Sequence, residues 1–348
     1  MISPEDTRMF REAAEAAAAV RAQLAQNREV VEEAAKTLRA RAPRVVVTCA
    51  RGSSDHAATF AKYLIETRAR VLTSSAAPSV SSVYAAKADL RDALFLAISQ
   101  SGASPDLIAT ARAAREAGAF VLALVNAPSS PLADTAHLTI PLRAGAETSV
   151  AATKSYIASL AAVVHLVGSW TQNAALLEAL GKSPLQLERA WQLDWNAAVD
   201  ALESVAGLYV VGRGLGLGAA QEAALKLKET CGLHAEGFSS AELRHGPMAL
   251  VGDGFPVFLL SQSDETRAGN EALAADLVKR GAVVLLADAR VTASTTRRVV
   301  ALPAIAADAV IEPMLLVQSF YRMANALSIA RGRDPDRPPN LQKVTETL

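Results

Sequence analysis

The chain has 348 residues, 51% of them hydrophobic and 20% charged, with 35 Lys plus Arg against 35 Asp plus Glu. Zero formal net charge gives no long-range basic field for nucleic acid or an anionic membrane, so any anionic ligand must be held by local groups. The two cysteines, Cys49 and Cys231, lie beside apolar runs with no CxxC pair or His/Cys cluster, which argues against a disulfide framework and a zinc site.

The segment Met1–Arg11 is polar and mixed in charge, unlike a secretory signal. Apolar runs such as Val45–Cys49 and Val283–Ala287 are too short to span a bilayer, so a cytoplasmic location is expected. Residues 12–42, rich in Ala, Glu, Arg and Leu and without Gly, predict one or two helices that Pro43 stops. Val45–Cys49 predicts a strand, Arg51–Asp55 a small-residue turn and Ala57–Thr67 a helix, which together make half of a parallel βαβ module. The pattern recurs: strand Leu94–Ile98, turn Ser99–Gly102, helix Asp106–Ala117, a C-cap at Gly118 and strand Phe120–Val125. A mostly helical connector between about 168 and 202, with Gly181 and Pro184, separates this half from the next. Pro313–Ala330 then predicts a long helix before a charged, proline-rich tail from Gly332. That tail is either an unanchored terminus or a segment that docks Asn340–Lys343 near a site.

The two halves repeat each other. Val45–Gly52 (VVVTCARG) is answered by LYVVGRG ending at Gly214, and Leu94–Ser101 (LFLAISQS) by Pro256–Ser263 (PVFLLSQS). Arg51 to Ser99 and Arg213 to Ser261 are both 48 residues, and Glu116–Ala119 answers Lys279–Ala282 at the next helix-to-strand junction. Three matches in register indicate duplication of an α/β unit.

Ser99–Ser104 (SQSGAS) falls between an apolar strand and a helix start, where unpaired amides and the helix dipole favour an anion. Serine hydroxyls add donors and Gly102 permits close backbone approach. This is a phosphate cradle without the lysine of a P-loop, or else an ordinary polar N-cap. The second serine turn, Gly52-Ser53-Ser54, favours the cradle. Repeat 2 continues Ser261-Gln262-Ser263 with Asp264-Glu265, two carboxylates expected to repel phosphate, so repeat 1 is expected to hold the working pocket. On a predicted helix Ala219–Thr230, Glu222, Lys226 and Glu229 share one face, and Ala220, Ala224, Leu227 and Cys231 form the opposite stripe. That face is either catalytic or a solvated ladder of ion pairs. His245, before Gly246-Pro247, is either a general acid/base or a helix cap. His56, His137, His165 and His234 carry no partner pattern and read as structural.

Taken together these segments resemble the sugar isomerase (SIS) superfamily, in particular the isomerase half of glutamine–fructose-6-phosphate aminotransferases. The resemblance rests on Gly52-Ser53-Ser54, Ser99–Gly102, Ala144-Gly145 with Ser149–Lys154, Glu222–Glu229, His234–Glu236, Glu242–Pro247 and Asn340–Lys343, and runs from about residue 45 to the C-terminus. It implies an α/β fold of two tandem SIS domains, each a mostly parallel sheet flanked by helices. The expected division is an N-terminal helix 1–30, domains at 31–175 and 195–333, and a tail 334–348 completing the site. It also implies that Ser53, Ser54, Ser99, Gln100, Ser101 and Ser104 hold a sugar phosphate, with Val150 and Ala152 contacting the sugar. Glu229 would move the proton between C1 and C2, Lys226 would assist and Glu222 would line the pocket. His245 would open the ring from a neighbouring subunit of a homodimer, and Lys343 would form a Schiff base with the ketose.

Some positions depart from the pattern. Ile2 stands where those aminotransferases carry their glutaminase cysteine, and no glutaminase domain fits before residue 45. Ala152 replaces a serine, and Gln342 a small residue. The Lys343–Thr347 ending is similar to that of class II glucosamine-6-phosphate deaminases. The leading expectation is therefore conversion of glucosamine 6-phosphate to fructose 6-phosphate and ammonia, without metal or organic cofactor. The alternatives are a synthase-type aminotransferase/isomerase lacking its glutaminase domain, a plain phosphosugar isomerase, or a non-catalytic sugar-phosphate sensor. No helix-turn-helix region suggests a transcription regulator.

Overall fold

A computed structural model describes residues 3–86, 88–291 and 296–343. The chain forms two compact units, each around one five-stranded sheet. The first contains Ala18–Glu147 and Lys154–Gly181 together with Gln342 and Lys343. The second contains the residues up to Ala17, the segment Thr148–Thr153 and Lys182–Leu341.

In the first unit the strands are β1 (Val45–Cys49), β2 (Leu72–Ser75), β3 (Ala93–Ser99), β4 (Phe120–Val125) and β5 (Leu138–Pro141), ordered β2-β1-β3-β4-β5. In the second they are β6 (Gly207–Gly212), β7 (His234–Ser239), β8 (Pro256–Ser261), β9 (Val283–Asp288) and β10 (Val299–Leu302), ordered β10-β9-β8-β6-β7. Within each unit the central strand is the third in sequence, and every recorded pair is parallel. The duplication seen in the sequence is thus repeated in strand order.

Parallel sheets need cover on both faces, and the central strands show it. All seven residues of β3 are buried. Phe95 and Ala97 enter a core with Leu107, Ala111, Val121 and Leu132 on one face, and the intervening Leu94, Leu96 and Ile98 are equally dry. Helices Arg28–Arg41 and Ser53–Leu64 pack on Lys154–Trp170, and Pro78–Ser82 packs on Pro105–Glu116. In the second unit Val257 and Leu259 of β8 meet Leu273 and Leu277 of helix Arg267–Lys279. Helix Gly216–Cys231 packs on β6, β7 and helix Glu312–Ala330. No helix among the described residues is long and apolar enough to cross a membrane.

The N-terminal helical region differs from expectation. Three helices stand there, Arg8–Ala14, Ala16–Gln26 and Arg28–Arg41, where one or two were expected. Asn27 makes the second break because its side chain is committed elsewhere, donating to Pro141 O at 2.6 Å and accepting from Arg143 Nε at 3.1 Å. The connector is helical as read, but Ala174–Trp191 runs straight through Gly181 and Pro184. The tail is anchored in part: Asp336 accepts from Arg8 N at 2.7 Å and Met9 N at 2.8 Å, capping the first helix. The ending beyond Lys343 lies outside the described residues.

Candidate active site

In the β1–β5 unit the strand order reverses between β1 and β3, the place where open parallel sheets form a crevice at the strands' C-terminal ends. Both serine turns stand at that end. After β1, Ser53 and Ser54 open helix Ser53–Leu64, following Gly52 at φ +55°. After β3, Ser99 Oγ accepts from Gly102 N at 2.9 Å and Ser101 Oγ accepts from Ala103 N at 3.3 Å, which leaves each hydroxyl proton to donate to a ligand. Ser104 then caps helix Pro105–Glu116 without a side-chain bond. Gly102 has φ +64°, and a Cβ there would stand 2.2 Å from Ser130 Oγ, so the turn requires glycine twice over. Gln100 and Ser101 are half-buried.

Sequence reasoning missed Arg51. Its Nε and Nη2 both donate to Asp106 Oδ2, at 2.8 and 2.6 Å, tying the turn after β1 to the helix after β3. Asp106 is buried while the Arg51 side chain is 52% exposed, so the guanidinium is the member of this ion pair that reaches solvent near the serine turns. Burial pushes the neighbouring Cys49 thiol up to about 12, so it stays protonated and is a poor nucleophile.

Lys343 is half-buried in the same unit, 3.4 Å from Glu147 Oε2. Glu147 is also new: buried, it accepts from Ser155 N at 3.1 Å and from Ser155 Oγ at 2.6 Å. Eight residues separate Glu147 from Ser155 and almost two hundred separate it from Lys343, spacings that carry no periodic signal.

Val150 and Ala152 belong to the other unit's segment, Thr148–Thr153. The buried Glu12 holds that segment, accepting from Thr148 N at 2.5 Å, Thr148 Oγ1 at 2.8 Å and Ser149 N at 3.0 Å. The charged array on helix Gly216–Cys231 is not the solvated ladder that the spacing left open. Glu222 and Lys226 have side chains 0% and 1% exposed, and the stripe Ala220, Ala224, Leu227 and Cys231 is buried as well. Lys226 Nζ donates to Glu229 Oε2 and stands 3.6 Å from Glu222 Oε1. The buried Tyr321, from helix Glu312–Ala330, donates its hydroxyl to Glu222 Oε1 at 3.0 Å. Of these four groups only Glu229 reaches solvent, at 20% exposure. One ammonium between two carboxylates, with the outer carboxylate accessible, can take a proton from a bound molecule and return it. His245 follows a single turn of 3-10 helix, Glu242–Arg244, and is exposed.

The SIS domain family matches residues 40–168 and 202–323, once in each half. The glutamine–fructose-6-phosphate aminotransferase (isomerizing) of Aeropyrum pernix is 34% identical over 309 residues, covering 84% of this chain and 49% of that protein. This chain therefore spans about half the length of that curated relative. A protein of Silicibacter pomeroyi crystallised as a candidate phosphosugar isomerase is 41% identical with a TM-score of 0.89, covering 95% of this chain and all of that one. The C-terminal domain of glucosamine-fructose-6-phosphate aminotransferase from Francisella tularensis is 25% identical with a TM-score of 0.83, covering 95% and 98% of the two chains.

Proposed function

The chain belongs to the SIS domain family, and on that premise we propose that it is an aminosugar-phosphate isomerase and deaminase, converting glucosamine 6-phosphate to fructose 6-phosphate and ammonia. Ser53, Ser54, Ser99, Gln100, Ser101 and Ser104 take the phosphate, with Arg51 offsetting part of its charge. The backbone at Val150 and Ala152 contacts the sugar. Glu229 removes the proton from C2 of the open-chain sugar and returns it to C1, which leaves an imine at C2. Water adds to that carbon and the C–N bond breaks, releasing ammonia. Lys343 can exchange for the ammonia at the same imine before water releases the ketose. Lys226 holds the Glu229 carboxylate, and Glu222 with Tyr321 holds Lys226. His245, exposed on its own chain, opens the sugar ring in a second copy.

One observation carries this reading: a fully buried Lys226 between two carboxylates of which Glu229 alone reaches solvent. Burying ions is expensive, so such an array on a core helix argues for chemistry more than for stability. In E229Q, ammonia release from glucosamine 6-phosphate is expected to fall by about 10²–10⁴-fold, with melting temperature and inorganic phosphate binding kept. Full activity in that variant removes the relay.

The similarity to an isomerizing aminotransferase favours one second reading, the same steps run toward the aminosugar. Incubating fructose 6-phosphate with ammonia, and separately with glutamine, distinguishes the directions. Ligand binding with no turnover in either direction would leave a sensor.

A further inference from the structure

The counterpart of the serine turn in the β6–β10 unit is occupied by the chain itself. Ser261-Gln262-Ser263 closes β8 as Ser99-Gln100-Ser101 closes β3, and a helix, Arg267–Lys279, follows as Pro105–Glu116 does. At the third residue of the turn, Ser263 N donates to Glu312 Oε2 at 2.6 Å and Ser263 Oγ to Glu312 Oε1 at 3.0 Å. Ala307 N adds a third donor to Oε1 at 3.2 Å. Two amides and a hydroxyl thus converge on a carboxylate that is 2% exposed. Among the described residues no carboxylate bonds to Ser99–Ser104 in this way. A second observation points the same way: the Ser261 hydroxyl is buried and has no hydrogen-bond partner among the described residues.

We propose that Ser261–Ser263 is a second anion site of the phosphate class, held shut by this chain's own Glu312. The proposal rests on Ser99–Ser104 being the phosphate turn of the other unit. The propionate tail of Glu312 and a phosphate group are of similar bulk, and both offer oxygens to a backbone amide and a serine hydroxyl. The sequence had suggested that Asp264 and Glu265 repel an anion here. Asp264 is instead bonded on both oxygens, Oδ1 accepting from Thr266 N at 2.9 Å and Thr266 Oγ1 at 2.5 Å and Oδ2 from Gln262 Nε2 at 3.0 Å, while Glu265 is exposed. Burial raises the Glu312 carboxyl above its ordinary range, and the three donors offset only part of that rise. After duplication, one turn kept its ligand and the other took a side chain that pins helix Glu312–Ala330 to the sheet.

The test counts inorganic phosphate bound per chain by calorimetry in four proteins: wild type, S99A/S101A, E312A and the triple variant S99A/S101A/E312A. The expected stoichiometries are one, none, two and one. Emptying the Glu312 position must add one phosphate whatever the first turn does, so a folded E312A that gains none overturns the proposal. Retention of phosphate by S99A/S101A would instead count against the reading of Ser99–Ser104 alone. If E312A does not fold in chloride buffer, refolding from urea in phosphate is the readout. Recovery exceeding the phosphate benefit seen for wild type supports the plug, and no recovery in either buffer overturns it.

Discussion

Lys343 owes its placement to a carboxylate that sequence spacing could not reveal. Glu147 is buried and fixed by Ser155, so the ammonium meets a partner whose position is set before the tail arrives. If Lys343 forms the imine of the proposed reaction, that carboxylate is placed to move protons at the carbinolamine. In E147A, borohydride trapping of fructose 6-phosphate on Lys343 is expected to slow by about 10-fold or more, with E147D recovering part of the rate. Unchanged trapping, measured by mass spectrometry of the adduct, would reduce Glu147 to a structural anchor. Tyr321 and Glu12 were equally hidden, because their partners lie 99 and 136 residues away along the chain. By contrast the placement of Ser53, Ser99–Ser104 and Glu229 was legible, since a strand-to-turn-to-helix pattern puts the serines at helix starts and an i, i+4, i+7 spacing puts Glu229 on one face with Glu222 and Lys226.

Helix Gly216–Cys231 shows where that legibility stops. Its periodicity fixed the faces, but not which face met water. The answer depends on β6, β7 and helix Glu312–Ala330 covering it, a fact of packing between distant elements. The four outer strands β2, β5, β7 and β10 were missed for a related reason. β2, β5 and β10 are only four residues long, and β7 (HAEGFS), though as long as β4, lacks the continuous apolar run that betrays β3 or β4. On the buried helix, removing only the ammonium leaves the buried Glu222 carboxylate facing Glu229 with no cation between them. K226M is therefore expected to lose about 3–5 kcal/mol of stability in urea unfolding, and E222Q/K226M/E229Q to regain most of it. A triple variant no more stable than K226M would mean the three charges are not held as an interdependent set.

At the scale of the molecule, duplication gives two sheets of one topology, to which the proposed function assigns unequal duties, phosphate binding to one and proton transfer to the other. The proposed donation of His245 to a second copy has a direct consequence. Homodimers of E229Q and of H245A should each be inactive. Mixing them under exchange conditions should restore about one quarter of wild-type activity, because half of the dimers are mixed and each mixed dimer has one complete set. Activity that never returns, with mixed dimers confirmed by tag capture, places His245 in its own chain's site.

The clasp on the first helix has a temporal side. Thr7 Oγ1 donates to Asn325 Oδ1 at 2.7 Å, and Asp336 caps the amides of Arg8 and Met9. On the ribosome, helix Arg8–Ala14 is made more than three hundred residues before these partners. At about 5–20 residues per second it waits roughly 15–65 seconds with Met9 and Ala13 unshielded. Met9 and Ala13, made early, are thus covered in part by helix Glu312–Ala330, made much later, and chaperone engagement of the nascent chain is expected to end when Asp336 emerges.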